Sequence, residues 1–193
     1  MSTIGILVFT DAEELDFVGP WEVLAAAAQL RGVDRVLLLG ERIEPVRCAK
    51  GLTVVPDTAW ADCPPLDVLL VPGGDGRRRQ MVNPAMLAFL GEKAPGCRWV
   101  TSVCTGSFVL VAAGLATGRQ VTTHWSRIEE LRGHPVVVRD DVRYVVDGNV
   151  VTAAGVSAGI DMSLWLVGQL HTPEFAREVQ RYIQYEPEPP YRA

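Results

Sequence analysis

No stretch of this 193-residue sequence approaches the roughly 20 consecutive apolar residues that a membrane span requires, so no membrane association is expected. Blocks of Lys and Arg are also missing. The only cluster, Arg77-Arg78-Arg79, is read as three loop residues, and a formal net charge of −5 argues against a nucleic-acid surface. The four cysteines (Cys48, Cys63, Cys97, Cys104) form no C-x-x-C pair and have no histidine at metal spacing. That excludes a disulfide framework or a zinc site and predicts free thiols in a reducing cytoplasm. The N-terminal residues Met1 to Phe9 carry no basic leader or cleavage site, so they are read as a first strand instead of a signal peptide. Neither G-x-G-x-x-G nor G-x-x-x-x-G-K occurs, which leaves no nucleotide-binding fingerprint, and there are no repeats and no linker.

What is present is an ordinary globular composition, 48% hydrophobic and 21% charged, at a length suited to one substantial core. A single domain over residues 1–193 is expected. The continuous apolar run Ile4–Phe9 and the segments Val33–Gly40 and Asp67–Val71 have the character of strands buried on both faces of a parallel sheet. Residues 46–56 predict a short hairpin. Helical spacing follows in residues 21–28, where Pro20 suits a first turn, and again after Asn83-Pro84. Further strands are predicted at 136–138, 143–146 and 150–152, the last two joined by the Asp147-Gly148-Asn149 turn. Helices are predicted from Gly159, with Asp161 at its N-terminus, and from Pro173 to Tyr185. A proline-stiffened tail, Glu186 to Pro190, follows. Strands alternating with helices predict an α/β fold with a parallel-rich, doubly wound sheet.

The chain centres on Val100-Thr-Ser-Val-Cys-Thr-Gly-Ser-Phe-Val-Leu-Val111. A β-rich run enters this stretch and an apolar run with helical spacing leaves it, so Cys104 falls on a strand-to-helix turn at the carboxyl edge of the sheet. A helix N-terminus aimed at the sulfur would acidify the thiol and make it a nucleophile. A small buried hydrophobe at a tight junction is the other reading. Gly106 would let a substrate approach the backbone.

Three more segments converge on the same edge. Asp16 follows the first strand and is either a site residue or a carboxylate flanking a helix. Gly73 and Gly74 end another strand, either as a tight turn or as N–H donors to a bound oxyanion. His124, in Thr122-Thr-His-Trp125, could pair with a thiolate or serve as a structural hydrogen-bonder.

Taken together, Val103-Cys-Thr-Gly-Ser107, Val71-Pro-Gly-Gly74, Thr122-Thr-His-Trp125 and Ala154-Gly-Val-Ser-Ala-Gly-Ile-Asp161 resemble the ThiJ/PfpI superfamily over nearly the whole chain. The resemblance implies a flavodoxin-like, class I glutamine amidotransferase-like fold. Glu14-Leu-Asp-Phe-Val-Gly-Pro20, Ala61-Asp-Cys-Pro-Pro-Leu-Asp67, Thr101-Ser-Val-Cys-Thr-Gly-Ser107 and Tyr185-Glu-Pro-Glu-Pro-Pro190 are most similar to its isonitrile-hydrating branch. That implies a small-molecule isonitrile substrate, no cofactor, no metal and a homodimer. It also implies Cys104 as nucleophile, Asp16 as the acid/base group and Thr105 as a hydrogen-bonding partner of Asp16 or of the attacking water. Gly73 and Gly74 are the expected substrate-binding residues.

Peptidase-like members carry a histidine directly after the nucleophile, where this chain has Thr105. Glyoxalase-like members use a glutamate where this chain has Asp16. Ligand-sensing domains of AraC-type regulators share these motifs but continue into a DNA-binding domain, which is not expected here. A protein whose Cys104 is reversibly oxidised is a further alternative.

Overall fold

The computed structural model describes residues 1–189; Pro190, the last residue of the expected proline arm, lies outside the described residues. The elements, in order, begin with β1 (Thr3–Leu7), α1 (Glu14–Arg31), β2 (Arg35–Gly40), β3 (Val46–Arg47), β4 (Thr53–Val54), β5 (Thr58–Ala59) and β6 (Val68–Val71). Next come α2 (Arg77–Gln80), α3 (Pro84–Lys93), β7 (Trp99–Val103), α4 (Gly106–Ala112), β8 (Gln120–Val121) and α5 (Ile128–Arg132). The chain continues through β9 (Val137–Val138), β10 (Tyr144–Asp147), β11 (Val150–Ala153), α6 (Ala158–Leu170) and α7 (Pro173–Tyr182).

Among the described residues the main sheet runs β10-β11-β7-β6-β1-β2-β5, and every pairing but β10 with β11 is parallel. This is the parallel-rich, doubly wound sheet expected from the sequence. The reason lies in the strands: β6 is Val-Leu-Leu-Val and β1 is Ile-Gly-Ile-Leu beyond its first residue, all buried, so both faces must be covered by helices. The β1–α1–β2 and β6–α3–β7 connections travel in opposite directions along the sheet. With right-handed crossovers they put α1 and α3 on opposite faces. Helices α1, α6 and α7 pack on one another. The hairpin expected over 46–56 is β3 with β4, and Asn83 caps α3, its side chain accepting from Ala85 N–H at 3.0 Å.

Several expectations need correcting. Helix α1 begins at Glu14, so Pro20 lies inside it and not in its first turn. An interior proline removes a backbone hydrogen bond and typically costs about 3 kcal/mol. Here Phe17, Gly19, Pro20, Val23 and Leu24 are all buried, and Gly19 and Pro20 sit close to Ile160 and Gly159 of α6. The burial of that face outweighs the lost bond, and Asp16 is carried into the first helical turn. The Arg77–Arg79 segment is the short helix α2 with Arg77 buried, not a solvated loop. The last helix stops at Tyr182, since Gln184 takes a left-handed φ of 51°. Asp161 does occupy the first turn of α6, where it is ion-paired with Arg143.

Candidate active site

Strands β1, β6, β7 and β11 are parallel, so the residues following them gather at one edge. Pairing of Val71 with Ser102 and of Val103 with Ala153 brings the ends of β6, β7 and β11 level. The order of the strands reverses between β1, which leads outward to β2, and β6, which leads the other way to β7. Crevices at such reversals are the usual ligand sites of open α/β sheets.

Cys104 stands between β7 and α4 with φ of 55°, a left-handed conformation that a residue with a side chain adopts at a cost of about 1–3 kcal/mol. The surroundings hold it there. Its N–H donates to the carbonyls of Ala153 (3.1 Å) and Ala154 (2.8 Å), and its own carbonyl accepts from the hydroxyls of Thr123 (2.9 Å) and Ser107 (3.3 Å). Gly106 serves this elbow and not a substrate: a Cβ there would lie 2.2 Å from the Val71 carbonyl oxygen, so the glycine lets β6 and the start of α4 touch.

Asp16 is fully buried, and its Oδ2 accepts from the Gly73 N–H at 2.9 Å. Its Oδ1 has no hydrogen-bond partner among the described residues. The adjacent Gly74 N–H donates to Thr105 Oγ1 at 3.0 Å, and that hydroxyl in turn donates to the Gly74 carbonyl. Two expectations change as a result. Gly73 and Gly74 spend their N–H groups on Asp16 and Thr105, so they are not free donors to a substrate oxyanion. Thr105 is bound to the Gly74 backbone instead of to Asp16. A side chain at Gly73 is excluded, because its Cβ would meet Thr105 N at 2.5 Å, Thr105 Oγ1 at 2.6 Å and Asp16 Oδ2 at 2.9 Å.

The expected acidic thiol is not found. Burial first, then the charge of Asp16, pushes Cys104 up to about 12, although N–H groups of Thr105 and Val156 aimed at the sulfur pull the other way. Burial raises Asp16 to about 8, with Glu13's charge adding to it and the Gly73 N–H opposing. Two groups this close and this buried cannot both ionise, so they titrate as a pair that carries at most one negative charge at neutral pH. Asp16, with the lower value and the Gly73 N–H, gives up the pair's first proton, and the N–H groups of Thr105 and Val156 reduce the cost of shifting the charge on to sulfur.

A cleft of about 180 Å³ opens over Cys104, bounded by Glu13, Gly74, Arg77, Thr105, His124 and Val156. His124 is in its wall but makes no bond to Cys104. Its Nδ1 lies 2.8 Å from Ser126 Oγ and accepts from Ser126 N–H at 3.3 Å, capping the 3₁₀ turn Trp125–Arg127. Burial lowers its pKa, which keeps the ring neutral.

Arg77 and Val156 were missed in the sequence. The Arg77 guanidinium stacks 4.1 Å from the Phe108 ring, and its Nη2 contacts both Glu130 carboxylate oxygens at 2.9 and 2.8 Å. Nothing local distinguishes Arg77 from its two neighbours; only the phase of α2 turns it inward. Val156 follows β11 with φ of 25°.

Residues 2–169 match the DJ-1/PfpI family, and the chain belongs to that family. Relatives within it have been assigned particular activities. The chain is 41% identical over 188 residues to isonitrile hydratase of Pseudomonas putida, covering 97% of this chain and 80% of that protein. It is 30% identical over 175 residues to the glutathione-independent glyoxalase DJR-1.2 of Caenorhabditis elegans, covering 90% of each. The crystal structure of a ThiJ/PfpI family protein from Pseudomonas syringae superposes with a TM-score of 0.91 at 34% identity, over 98% of this chain and 77% of that one.

Proposed function

We propose that this protein is an isonitrile hydratase that adds water to R–N≡C to give an N-substituted formamide, with Cys104, Asp16 and Thr105 as its working residues. The observation that carries this reading is the Cys104–Asp16 pair, buried together and holding at most one negative charge. The 41% identity to isonitrile hydratase over nearly the full chain supports it. An isonitrile's terminal carbon must receive both a proton and a nucleophile, and passing the pair's shared proton from the Cys104 sulfur to Asp16 leaves a carboxylic acid beside a thiolate, one of each.

In the first step the Asp16 carboxyl proton passes to the isonitrile carbon while the Cys104 sulfur bonds to it. One π bond of C≡N is consumed, leaving R–N=CH–S–Cys104 and the Asp16 carboxylate. That carboxylate next takes a proton from water as the water oxygen bonds to the same carbon, and delivers the proton to nitrogen. The resulting R–NH–CH(OH)–S–Cys104 collapses: the C–S bond breaks, the hydroxyl proton returns to Asp16, and R–NH–CHO leaves. The pair ends as it began, with one water added. Thiolate formation on departure is assisted by the Thr105 and Val156 N–H groups. Thr105 is a positioning residue in this scheme: tied to Gly74, it holds the strand end whose next N–H orients Asp16. Covalent catalysis divides one hard addition into two easier ones.

The reading includes a single ThiJ/PfpI-type domain and a cytoplasmic homodimer. Among the described residues no helix is long and apolar enough to cross a membrane.

Incubation with cyclohexyl isocyanide should yield N-cyclohexylformamide, measured by mass spectrometry. Cys104→Ala is expected to abolish product, and Asp16→Asn to reduce turnover at least about 10²-fold. Full turnover by Cys104→Ala would sink the covalent scheme.

A further inference from the structure

The tip of the β3–β4 hairpin reaches the edge where Cys104 and Asp16 meet, and the start of α1 holds it there. The Ala49 N–H donates to the Ala12 carbonyl at 2.9 Å, and Glu14 Oε1 accepts from the N–H groups of Lys50 at 2.6 Å and Leu52 at 3.3 Å. Ala49 forms part of the wall of the Cys104 cleft. Beside it the Lys50 ammonium donates to Glu13 Oε1, and Glu13 belongs to the same wall.

Glu13 links this ion pair to the proton chemistry. Its N–H donates to the Gly73 carbonyl and its carbonyl accepts from the Asp16 N–H, both at 3.1 Å, so its backbone is tied to the two residues that share the Asp16 Oδ2 hydrogen bond. The Glu13 side chain is 17% exposed and that of Lys50 is 66% exposed. Solvent therefore screens the ammonium's own reach to Asp16, while the Glu13 carboxylate acts from a poorly solvated wall. Left unopposed, that carboxylate resists a negative charge on the Asp16–Cys104 pair. Lys50 opposes it. Beneath the burial that dominates, Glu13 pushes Asp16 up and Lys50 pulls it down.

The other charged and titratable groups around the pair are committed elsewhere, exposed or neutral. Glu14 holds the hairpin N–H groups, Asp11 is paired with Arg79, and Arg77 and Arg127 share Glu130. Asp75 is exposed, and His124 is kept neutral by burial.

Resting on the hydratase reading above, we infer that Lys50 is a positioning residue for the reaction: from the hairpin tip it neutralises Glu13 in the cleft wall and thereby sets the pH at which the Asp16–Cys104 pair gives up its first proton. Lys50 acts through Glu13 and touches neither the substrate nor the sulfur.

The test reads that pH in two ways, in the wild type, Lys50→Met, Lys50→Arg, Glu13→Gln and the double variant Glu13→Gln/Lys50→Met. One is the pH profile of kcat/KM for cyclohexyl isocyanide. The other is the pH profile of Cys104 alkylation by iodoacetamide, followed by mass spectrometry of the peptide that carries it. Alkylation needs the thiolate and no isonitrile, and the singly charged pair titrates with one midpoint wherever its charge sits. Lys50→Met should raise the midpoint by at least about half a pH unit and Glu13→Gln should lower it by a similar amount, as expected for one charge beside a buried carboxyl. Lys50→Arg should keep the wild-type midpoint, and the double variant should fall between the two single ones. A midpoint that stays in place in both Lys50→Met and Glu13→Gln overturns the inference whatever happens to the rate, because merely holding the hairpin would change turnover without moving the midpoint. A wild type that forms no formamide overturns the hydratase reading, and the alkylation profile then still decides the role of Lys50.

Discussion

At the scale of single residues, the chemistry depends on one buried proton. Asp16 is fully buried and raised to about 8, and Cys104 beside it is raised to about 12. The reactive form has lost one proton from the pair, so kcat/KM should rise with pH from about 6 through about 8. A pH–rate profile flat across that range would contradict this. The same proton bears on stability. A carboxyl whose folded pKa lies above its unfolded value of 3.8 binds more protons in the native state between those two values. Its contribution is therefore present at low pH and is lost as pH climbs toward about 8. Relative to Asp16→Asn, which does not titrate, the wild type should lose stability by up to about 1.4 kcal/mol per pH unit across this window. Urea denaturation of both proteins at pH 5, 6.5 and 8 measures the slope.

At the scale of elements, the site depends on strand ends approaching to backbone distance. The turn after β6 orients both partners at once, Gly73 through Asp16 and Gly74 through Thr105. A methyl group on Gly73 would collide with the Thr105 backbone nitrogen, which cannot swing aside as a flexible side chain would. Gly73→Ala is thus expected to lower turnover at least about 10²-fold and to destabilise the fold by about 1–3 kcal/mol through overpacking. Steady-state kinetics and chemical denaturation of the variant read the two effects separately; wild-type turnover would show that Asp16 needs no such positioning. The elements themselves were largely legible. Apolar runs announced the buried strands because parallel strands face helices on both sides, and Asn83-Pro84 announced α3 because cap chemistry is local. The start of α1 was not legible. Pro20 reads as a first-turn residue until the packing of Gly19 and Pro20 against α6 is known.

At the scale of the whole molecule, Arg77 joins parts of the chain distant in sequence. From α2 it reaches Glu130 in α5 and lies over Phe108 in α4, and it forms part of the wall of the Cys104 cleft. The Arg77 side chain is 3% exposed and that of Glu130 is 39% exposed, so solvent screens one partner and the pair is worth less than a fully buried one. Arg77→Ala should cost about 1–3 kcal/mol, through the lost stacking on Phe108 and the lost packing of its buried stem and not through a stranded charge, since Glu130 stays solvated; urea denaturation measures it. Lysine should not restore the loss, because it keeps the charge but lacks the flat face that stacks on Phe108. Recovery by Arg77→Lys would show that charge alone matters.

The sequence by itself determined the sheet, the elbow at Cys104 and the convergence of Asp16, Gly73 and Gly74 on one edge. These follow from hydrophobic period, glycine position and chain order, all of which are local or topological. It did not determine where hydrogen bonds go or what charge the site carries. Only the tertiary structure turned Gly73 and Gly74 inward as holders of Asp16 and Thr105, gave His124 to Ser126, and drew Arg77 under the cleft. Only burial reversed the expected acidity of Cys104, since desolvation and the neighbouring carboxylate outweigh the pull of a helix N-terminus. Protonation energies depend on what surrounds a group in space, and a sequence does not list those neighbours.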